Sequence, residues 1–189
     1  MDNFPNINKK SLVDILTLRY DPSITPKLIP KTPDDFIENE SNFTNEKIED
    51  IICEEIVEKL EQFDDNLSIA LSGGVDSSLS LALFRKLNPE KKIHAISLKF
   101  SESIDETPSA AKIAEKFNAD HHVVYLENYL SELPKAISII KLPFWDLHWY
   151  YVVKKANTLS KTLISGDGGD ELFAGYTFRY SKFLSLTSD

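Results

Sequence analysis

Cysteine is almost missing from this 189-residue chain, and Cys53 alone cannot close an internal disulfide. A disulfide-stapled secreted scaffold and a catalytic cysteine pair are both excluded. Cys53 lies in a helical pattern, where a lone cysteine acts as a small apolar residue of a reducing compartment. Basic residues are also short, with 21 Lys and Arg against 30 Asp and Glu and a formal net charge of −9. Binding nucleic acid by neutralising phosphates needs the opposite balance, so no nucleic-acid partner is expected. No apolar run approaches the roughly 20 residues that span a bilayer. The opening Met1-Asp2-Asn3-Phe4-Pro5-Asn6 has neither the basic start nor the apolar stretch of a secretory signal. A cytoplasmic protein without a membrane partner is expected, and the sequons at Asn42 and Asn66 then carry no meaning. With 42% hydrophobic residues, the chain has enough apolar material for one real core.

Glycine is scarce too, at six residues. Two of them stand side by side in Ser72-Gly73-Gly74-Val75-Asp76-Ser77-Ser78, between an apolar strand-like run, Leu67 to Leu71, and an apolar helical pattern. Adjacent glycines let the backbone turn sharply and aim successive N–H groups at one anion. Val75 to Ser78 then form a helix N-terminus whose dipole favours negative charge, with Ser72, Ser77 and Ser78 as hydroxyl donors. The Gly-Lys-Ser/Thr ending of a Walker A loop is absent, and no lysine occurs between Leu67 and Arg85. The plain alternative is an ordinary strand-to-helix turn, which uses the same residue types.

A second segment, Leu163-Ile164-Ser165-Gly166-Asp167-Gly168-Gly169-Asp170-Glu171-Leu172-Phe173-Ala174-Gly175-Tyr176, again reads as strand, glycine-rich loop, helix. Asp167, Asp170 and Glu171 repel one another unless they meet a cation, and hard oxygen ligands suit Mg²⁺ shared with phosphates. A solvated turn is the bland reading of the acidic core of this loop.

The first motif resembles the loop of the ATP pyrophosphatase family, whose members cut ATP between the α- and β-phosphates and hold pyrophosphate there. GMP, NAD, argininosuccinate and asparagine synthetases and tRNA-thiolating enzymes share that form. The second motif, through Glu171-Leu172-Phe173-Ala174-Gly175-Tyr176, is similar to the asparagine synthetase and β-lactam synthetase branch. The resemblance implies ATP and Mg²⁺ as cofactors. It places Ser72, Gly73, Gly74, Asp76, Ser77, Ser78, Ser165 and Gly166 at the nucleotide, with Leu71 and Leu98 at strand ends beside the adenine. It implies metal ligation by Asp76 and Asp170, and catalytic roles for Asp76, Asp167 and Asp170. Asp167 stands where many members carry Glu, near the incoming amine. The implied reaction is adenylation of aspartate with release of pyrophosphate, then amination to asparagine and AMP. The alternatives are another acyl-adenylating ligase of this branch, such as a β-lactam synthetase-like enzyme or a peptide cyclase, and an ATP-binding module without turnover.

The resemblance covers roughly Leu18 to Tyr180, the first portion of a synthetase domain. Glutamine-using members carry Cys directly after Met, where this chain has Asp2, and the family's phosphate-stabilising lysine lies past the Gly-Tyr end of the second motif. Aspartate and ammonia are therefore the expected substrates, with a glutaminase subunit or a second synthetase half as a possible partner.

Residues 1–44 are polar, carry prolines at 22, 26, 30 and 33, and read as a lead-in with one short helix near Ser11 to Arg19. Leu18-Arg19-Tyr20-Asp21-Pro22 and Lys27-Leu28-Ile29-Pro30 are similar to the stretch joining the two halves of asparagine synthetases. Residues 45–189 form the expected synthetase domain. Helical spacing marks Asn45 to Phe63, the segment after the first loop to Leu87, Thr107 to Phe117, Ser131 to Ile140, Leu147 to Leu159 and Leu172 to Phe183. Strands are expected at Leu67 to Leu71, Ile93 to Phe100, His121 to Leu126 and Thr162 to Ser165. Such alternation predicts an α/β fold, a doubly wound parallel sheet with helices on both faces, adenine nucleotide alpha hydrolase-like by resemblance. Ligands of such sheets sit beyond the carboxyl ends of the strands, so both glycine loops can face one cleft. His121 and His122 are read as structural, because a metal site there needs partners that the sequence does not show. Asp146, in Pro143-Phe144-Trp145-Asp146, is a further candidate by resemblance, while packing accounts for Trp145 and Trp149.

Overall fold

The computed structural model describes residues 8–18, 22–23, 44–60, 66–101, 104–140, 147–173, 175–178, 181–182 and 185. Asp146 and the linker-like stretches 19–21 and 27–30 lie outside the described residues. In chain order the elements are α1 Lys9–Leu18, α2 Asn45–Leu60, β1 Asn66–Ala70, α3 Val75–Leu87, β2 Lys92–Phe100, α4 Thr107–Lys116, β3 Asp120–Leu126, α5 Leu133–Ile140, α6 Leu147–Ala156, β4 Leu163–Ile164 and α7 Gly169–Leu172.

Leu67, Ser68 and Ile69 are fully buried, so β1 loses water on both faces. A strand of that kind belongs inside a parallel sheet covered by helices on each side. The sheet has four strands in the order β3-β2-β1-β4, all parallel, with Leu67 opposite Ile93 and Ile69 opposite both Ala95 and Ile164. Alternate side chains point to opposite faces, which divides the core in two. Leu67, Ile69, Leu71, Ile93 and Ala95 pack against Leu81 and Phe84 of α3 and against Ala110 and Ala114 of α4. The small alanines, four residues apart, let α4 lie close on the sheet. On the other face, Ile96 is joined by Ala70, Leu98, Val124 and Leu163 and covered by Val152 and Ala156 of α6. Ala136 of α5 extends this layer with Leu147 and Tyr151.

The chain leaves β1 toward β2 and β3, then returns through α5 and α6 to set β4 on the other side of β1. Strand order therefore reverses between β1 and β4, and a crevice opens at their carboxyl ends. The expected doubly wound α/β sheet is what the chain forms. One element differs from expectation. α7 starts at Gly169 and ends at Leu172, so the helix expected from Leu172 to Phe183 does not run on from Leu172, although residues 177–178, 181–182 and 185 are helical. The Gly175 N–H reaches back to the Asp170 carbonyl at 2.9 Å, a wide turn that a helix cannot continue through. Among the described residues, no helix is long and apolar enough to cross a membrane.

Candidate functional site

The first glycine loop leaves β1 while still tied to the sheet, since the Leu71 N–H donates to the Ile96 carbonyl at 2.8 Å. Gly73 then adopts φ +87°, a conformation that strains any residue with a Cβ. Hydroxyls close the turn from within. The Ser72 N–H donates to Ser77 Oγ at 3.3 Å, the Gly74 N–H donates to Ser72 Oγ at 3.2 Å, and Ser78 Oγ donates to the Gly74 carbonyl at 2.6 Å. The three serines expected to face a ligand are thus engaged in shaping the loop. Donors of the first turn of α3 receive no side-chain cap. First-turn N–H groups also lack intrahelical acceptors, so these are the groups left for an anion.

The second loop comes from β4, next to β1, and closes on the first. A Cβ added to Gly166 would stand 2.8 Å from the Asp76 carbonyl carbon and from the Ser77 nitrogen. One added to Gly169 would stand 2.7 Å from Cγ of Asp76. Only glycine permits this approach, so the two loops meet at Asp76. All six glycines of the chain fall in the two motifs. Ser165 Oγ accepts the Asp167 N–H at 3.4 Å, and the Gly166 carbonyl accepts the Gly169 N–H at 3.3 Å, which fixes the turn.

A cavity of ≈ 370 Å³ opens where the loops meet. Of the residues singled out from the sequence, Leu71, Ser72, Asp76, Ser77, Leu98, Gly166 and Asp167 line it. Gly73, Gly74, Ser78, Ser165 and Asp170 belong to the same loops but lie outside the lining. Asp170 sits in α7 against Gly175. Ser97, Glu106, Thr107, His148 and Trp149 line the cavity as well, and the first four were not singled out. Trp149, read from the sequence as a packing residue, does pack against the Ile96 core and also lines the cavity.

Glu106 and Thr107 arrive at the start of α4, just beyond the carboxyl end of β2. Asp105 secures that start by accepting from Thr107 Oγ1 at 2.7 Å and from the Thr107 N–H at 3.1 Å. These bonds hold the Asp105 carboxyl below the usual carboxylate range. A helix start at Asp105-Glu106-Thr107-Pro108 was the available sequence signal, because proline in the first turn marks a helix that begins at this end of the sheet. Nothing local marks His148, which sits beside Trp149 with ring centroids 5.6 Å apart.

His121 supports the site from behind. Ser97 Oγ donates to the Leu71 carbonyl at 2.6 Å and stands 2.8 Å from His121 Nε2. With its one proton committed to Leu71, the hydroxyl accepts from His121, and the imidazole steadies the strand end that carries the first loop. Burial, and then His122, hold the His121 pKa below its ordinary value.

Asp76, Glu106 and Asp167 bring three carboxylates to the lining, which among the described residues contains no lysine or arginine. A polyphosphate entering here meets helix N–H groups and needs a divalent cation as counter-charge. Hard carboxylate oxygens are the donors Mg²⁺ prefers, so the residues present fit it.

Residues 50–188 match the family model described as asparagine synthase. The chain is 28% identical to the glutamine-hydrolyzing asparagine synthetase 1 of Bacillus subtilis, over 90% of this chain and 27% of that protein. It is 27% identical to the glutamine-hydrolyzing asparagine synthetase of Bos taurus, over 68% of this chain and 25% of that protein. The chain thus spans about a quarter of the length of these curated relatives. In fold it is similar to the glutamine-dependent NAD⁺ synthetase of Acinetobacter baumannii solved with ADP, at a TM-score of 0.54 and 17% identity, covering 74% of this chain and 29% of that one. A similar likeness holds for the NMN synthetase of Francisella tularensis, with a TM-score of 0.51, 18% identity, and coverage of 71% and 59%. Since the family match runs through both glycine loops and the strands that bring them together at Asp76, the chain belongs to the asparagine synthase family.

Proposed function

We propose that this chain binds ATP across the carboxyl ends of β1 and β4 and adenylates the side-chain carboxylate of aspartate. A carboxylate oxygen attacks the α-phosphorus, the bond to the bridging oxygen breaks, and pyrophosphate leaves. Ammonia then attacks the acyl carbon, loses a proton, and expels AMP to give asparagine. The observation that carries this reading is the contact of Gly166 and Gly169 with Asp76, which makes one site of two loops about 90 residues apart.

In this reading the first-turn N–H groups of α3 hold the phosphates, already oriented toward the charge that develops on pyrophosphate. Ser72, Ser77 and Ser78 act by fixing that loop. Leu71 and Leu98 take the adenine side of the cavity, and Ser165 and Gly166 position the nucleotide at the second strand end. Asp76, in the cavity lining, and Asp170, outside the lining at the head of α7, would hold Mg²⁺, which when bound neutralises phosphate charge. Asp167 faces the incoming amine from the second loop. Residues 1–44 serve as a lead-in to a synthetase domain at 45–189, and the protein works in the cytoplasm.

A second reading is favoured by the lack of lysine or arginine in the cavity lining among the described residues. A chain of this kind would bind ATP and depend on a partner, a second synthetase half or a glutaminase subunit, for a cationic side chain and for ammonia. Phosphorus NMR of the chain with ATP, Mg²⁺, aspartate and ammonium separates the two. Aspartate-dependent AMP and pyrophosphate support the first reading, while shifted ATP resonances without products support the second. ADP and orthophosphate would contradict both.

A further inference from the structure

At the opposite end of the sheet, three metal-binding side chains converge across two strands. His94 on β2 pairs in register with Asp120 on β3, and His122 lies two residues further along β3 on the same face. His94 Nδ1 stands 3.0 Å from His122 Nε2 and 3.8 Å from Asp120 Oδ2. The ligand atoms of all three lie within 4.8 Å of one another. The sequence shows two adjacent histidines and no partner for either; the parallel register supplies both partners.

The geometry points to a site for a borderline divalent cation such as Zn²⁺, held by His94 Nδ1, His122 Nε2 and the Asp120 carboxylate, which clamps β3 to β2. This inference is independent of the proposed function, because the site lies at the amino ends of the strands. Two nitrogens bound tetrahedrally to zinc at ~2.0–2.1 Å stand roughly 3.3 Å apart, so a few tenths of an ångström open the His94–His122 pair to that spacing. Two imidazoles and one carboxylate are a donor set for zinc or a neighbouring transition metal, whereas Mg²⁺ prefers oxygen alone. His94 is 6% exposed and Asp120 is open to solvent, so the site has a dry floor and an entry, with water able to complete the coordination.

In the metal-free pair one ring nitrogen donates to the other. Metal binding needs both lone pairs, so the shared proton moves to the far nitrogen of the same ring, and no net proton is released while both rings are neutral. Burial, reinforced by Lys92 and Lys155 at His94 and by His94 and Lys155 at His122, holds both pKa values below the ordinary value. Lys92 is the competitor, with Nζ 3.2 Å from Asp120 Oδ2, and its 58% exposed side chain can swing into solvent when a metal arrives.

The test is equilibrium dialysis of the full chain against Zn²⁺ in chelator-free buffer, with Mg²⁺ in parallel and Co²⁺ absorption as the reporter of coordination. Wild type is expected to take up one Zn²⁺ per chain and to ignore Mg²⁺ at this site, with Co²⁺ giving the intense visible bands of a tetrahedral centre. The solvent-open Asp120→Asn variant should bind at least about tenfold more weakly. His122→Gln should lose binding while keeping its far-ultraviolet circular dichroism. No zinc uptake by wild type would overturn the inference and leave a hydrogen-bonded histidine pair. Uptake equal in wild type and both variants would also overturn it, by assigning the metal to Cys53 or His148.

Discussion

At the amino ends of the strands Arg85 reaches the carbonyls of Phe117 and Asn118 at 2.7 Å, and those of Asn88, Pro89 and Lys91 as well. Ser68 Oγ meets Ser160 Oγ at 2.7 Å in the same region, and Lys92 pairs with Asp120. At the carboxyl ends, Asp76, Glu106 and Asp167 line one cavity with no lysine or arginine among the described residues, under a helix N-terminus without a side-chain cap. The first end gives these charges and carbonyls partners, as a region that holds a fold together must. The second leaves like charges together, an arrangement that makes physical sense around a ligand bringing cations with it. The contacts that stabilise the fold and the proposed nucleotide site thus sit at opposite ends of one sheet, and substitutions should separate them.

The largest effect is expected at Asp76. Asp76→Asn keeps size and removes charge at the point where the loops meet, and should lower aspartate-dependent pyrophosphate release by about 10²–10³-fold. Its urea midpoint should stay at the wild-type value, because Asp76 is exposed. Gly166→Ala comes next. Its Cβ would press on backbone atoms of Asp76 and Ser77 that cannot rotate away, so ATP affinity measured by titration calorimetry should fall about tenfold or more. Gly169→Ala meets the Asp76 side chain, which can turn, and should cost less.

Arg85→Ala attacks the other end. Several carbonyls would lose a charged donor, and urea unfolding should show a loss of about 2–4 kcal/mol, with ATP affinity unchanged in the protein that remains folded. The smallest effect concerns pH. His94, His121 and His122 have folded pKa values lowered chiefly by burial from the ordinary 6.5. Below that value the unfolded chain takes up protons that the folded chain resists, so stability falls as pH drops from about 6.5 toward the folded values. Urea midpoints at about pH 7.5 and pH 5.5 should therefore differ, with the lower at acid pH, and ATP affinity at neutral pH should be blind to these groups.

The carboxyl end was the more legible half. Phosphate turns need glycine and small polar residues in strict local order, so Ser72 to Ser78 and Ser165 to Asp170 announce themselves in one dimension. β1 was legible because burial on both faces leaves an apolar run, Leu67 to Leu71, with no room for charge. The roles of the loop serines were not legible, since a hydroxyl that shapes a turn and one that meets a ligand look alike in sequence. His148, Ser97 and Glu106 were missed because they come to the cavity from α6, β2 and the start of α4, and only the sheet's register brings them there. The pairing of His94 with His122 spans 28 residues and was invisible for the same reason. The closing helix was placed to start too early, at Leu172, because apolar spacing hid the wide turn at Gly175, beyond which residues 177–178, 181–182 and 185 are helical.

In the proposed function both glycine loops form one nucleotide site at the switch point between β1 and β4. The most direct measurement is a crystal structure of the chain with Mg²⁺ and α,β-methylene ATP, which resists cleavage at the bond in question. The triphosphate is expected against the first turn of α3, with a metal on Asp76 and Gly166 in contact with the nucleotide. A nucleotide bound elsewhere, or bound to the first loop with the second turned away, would contradict that proposal.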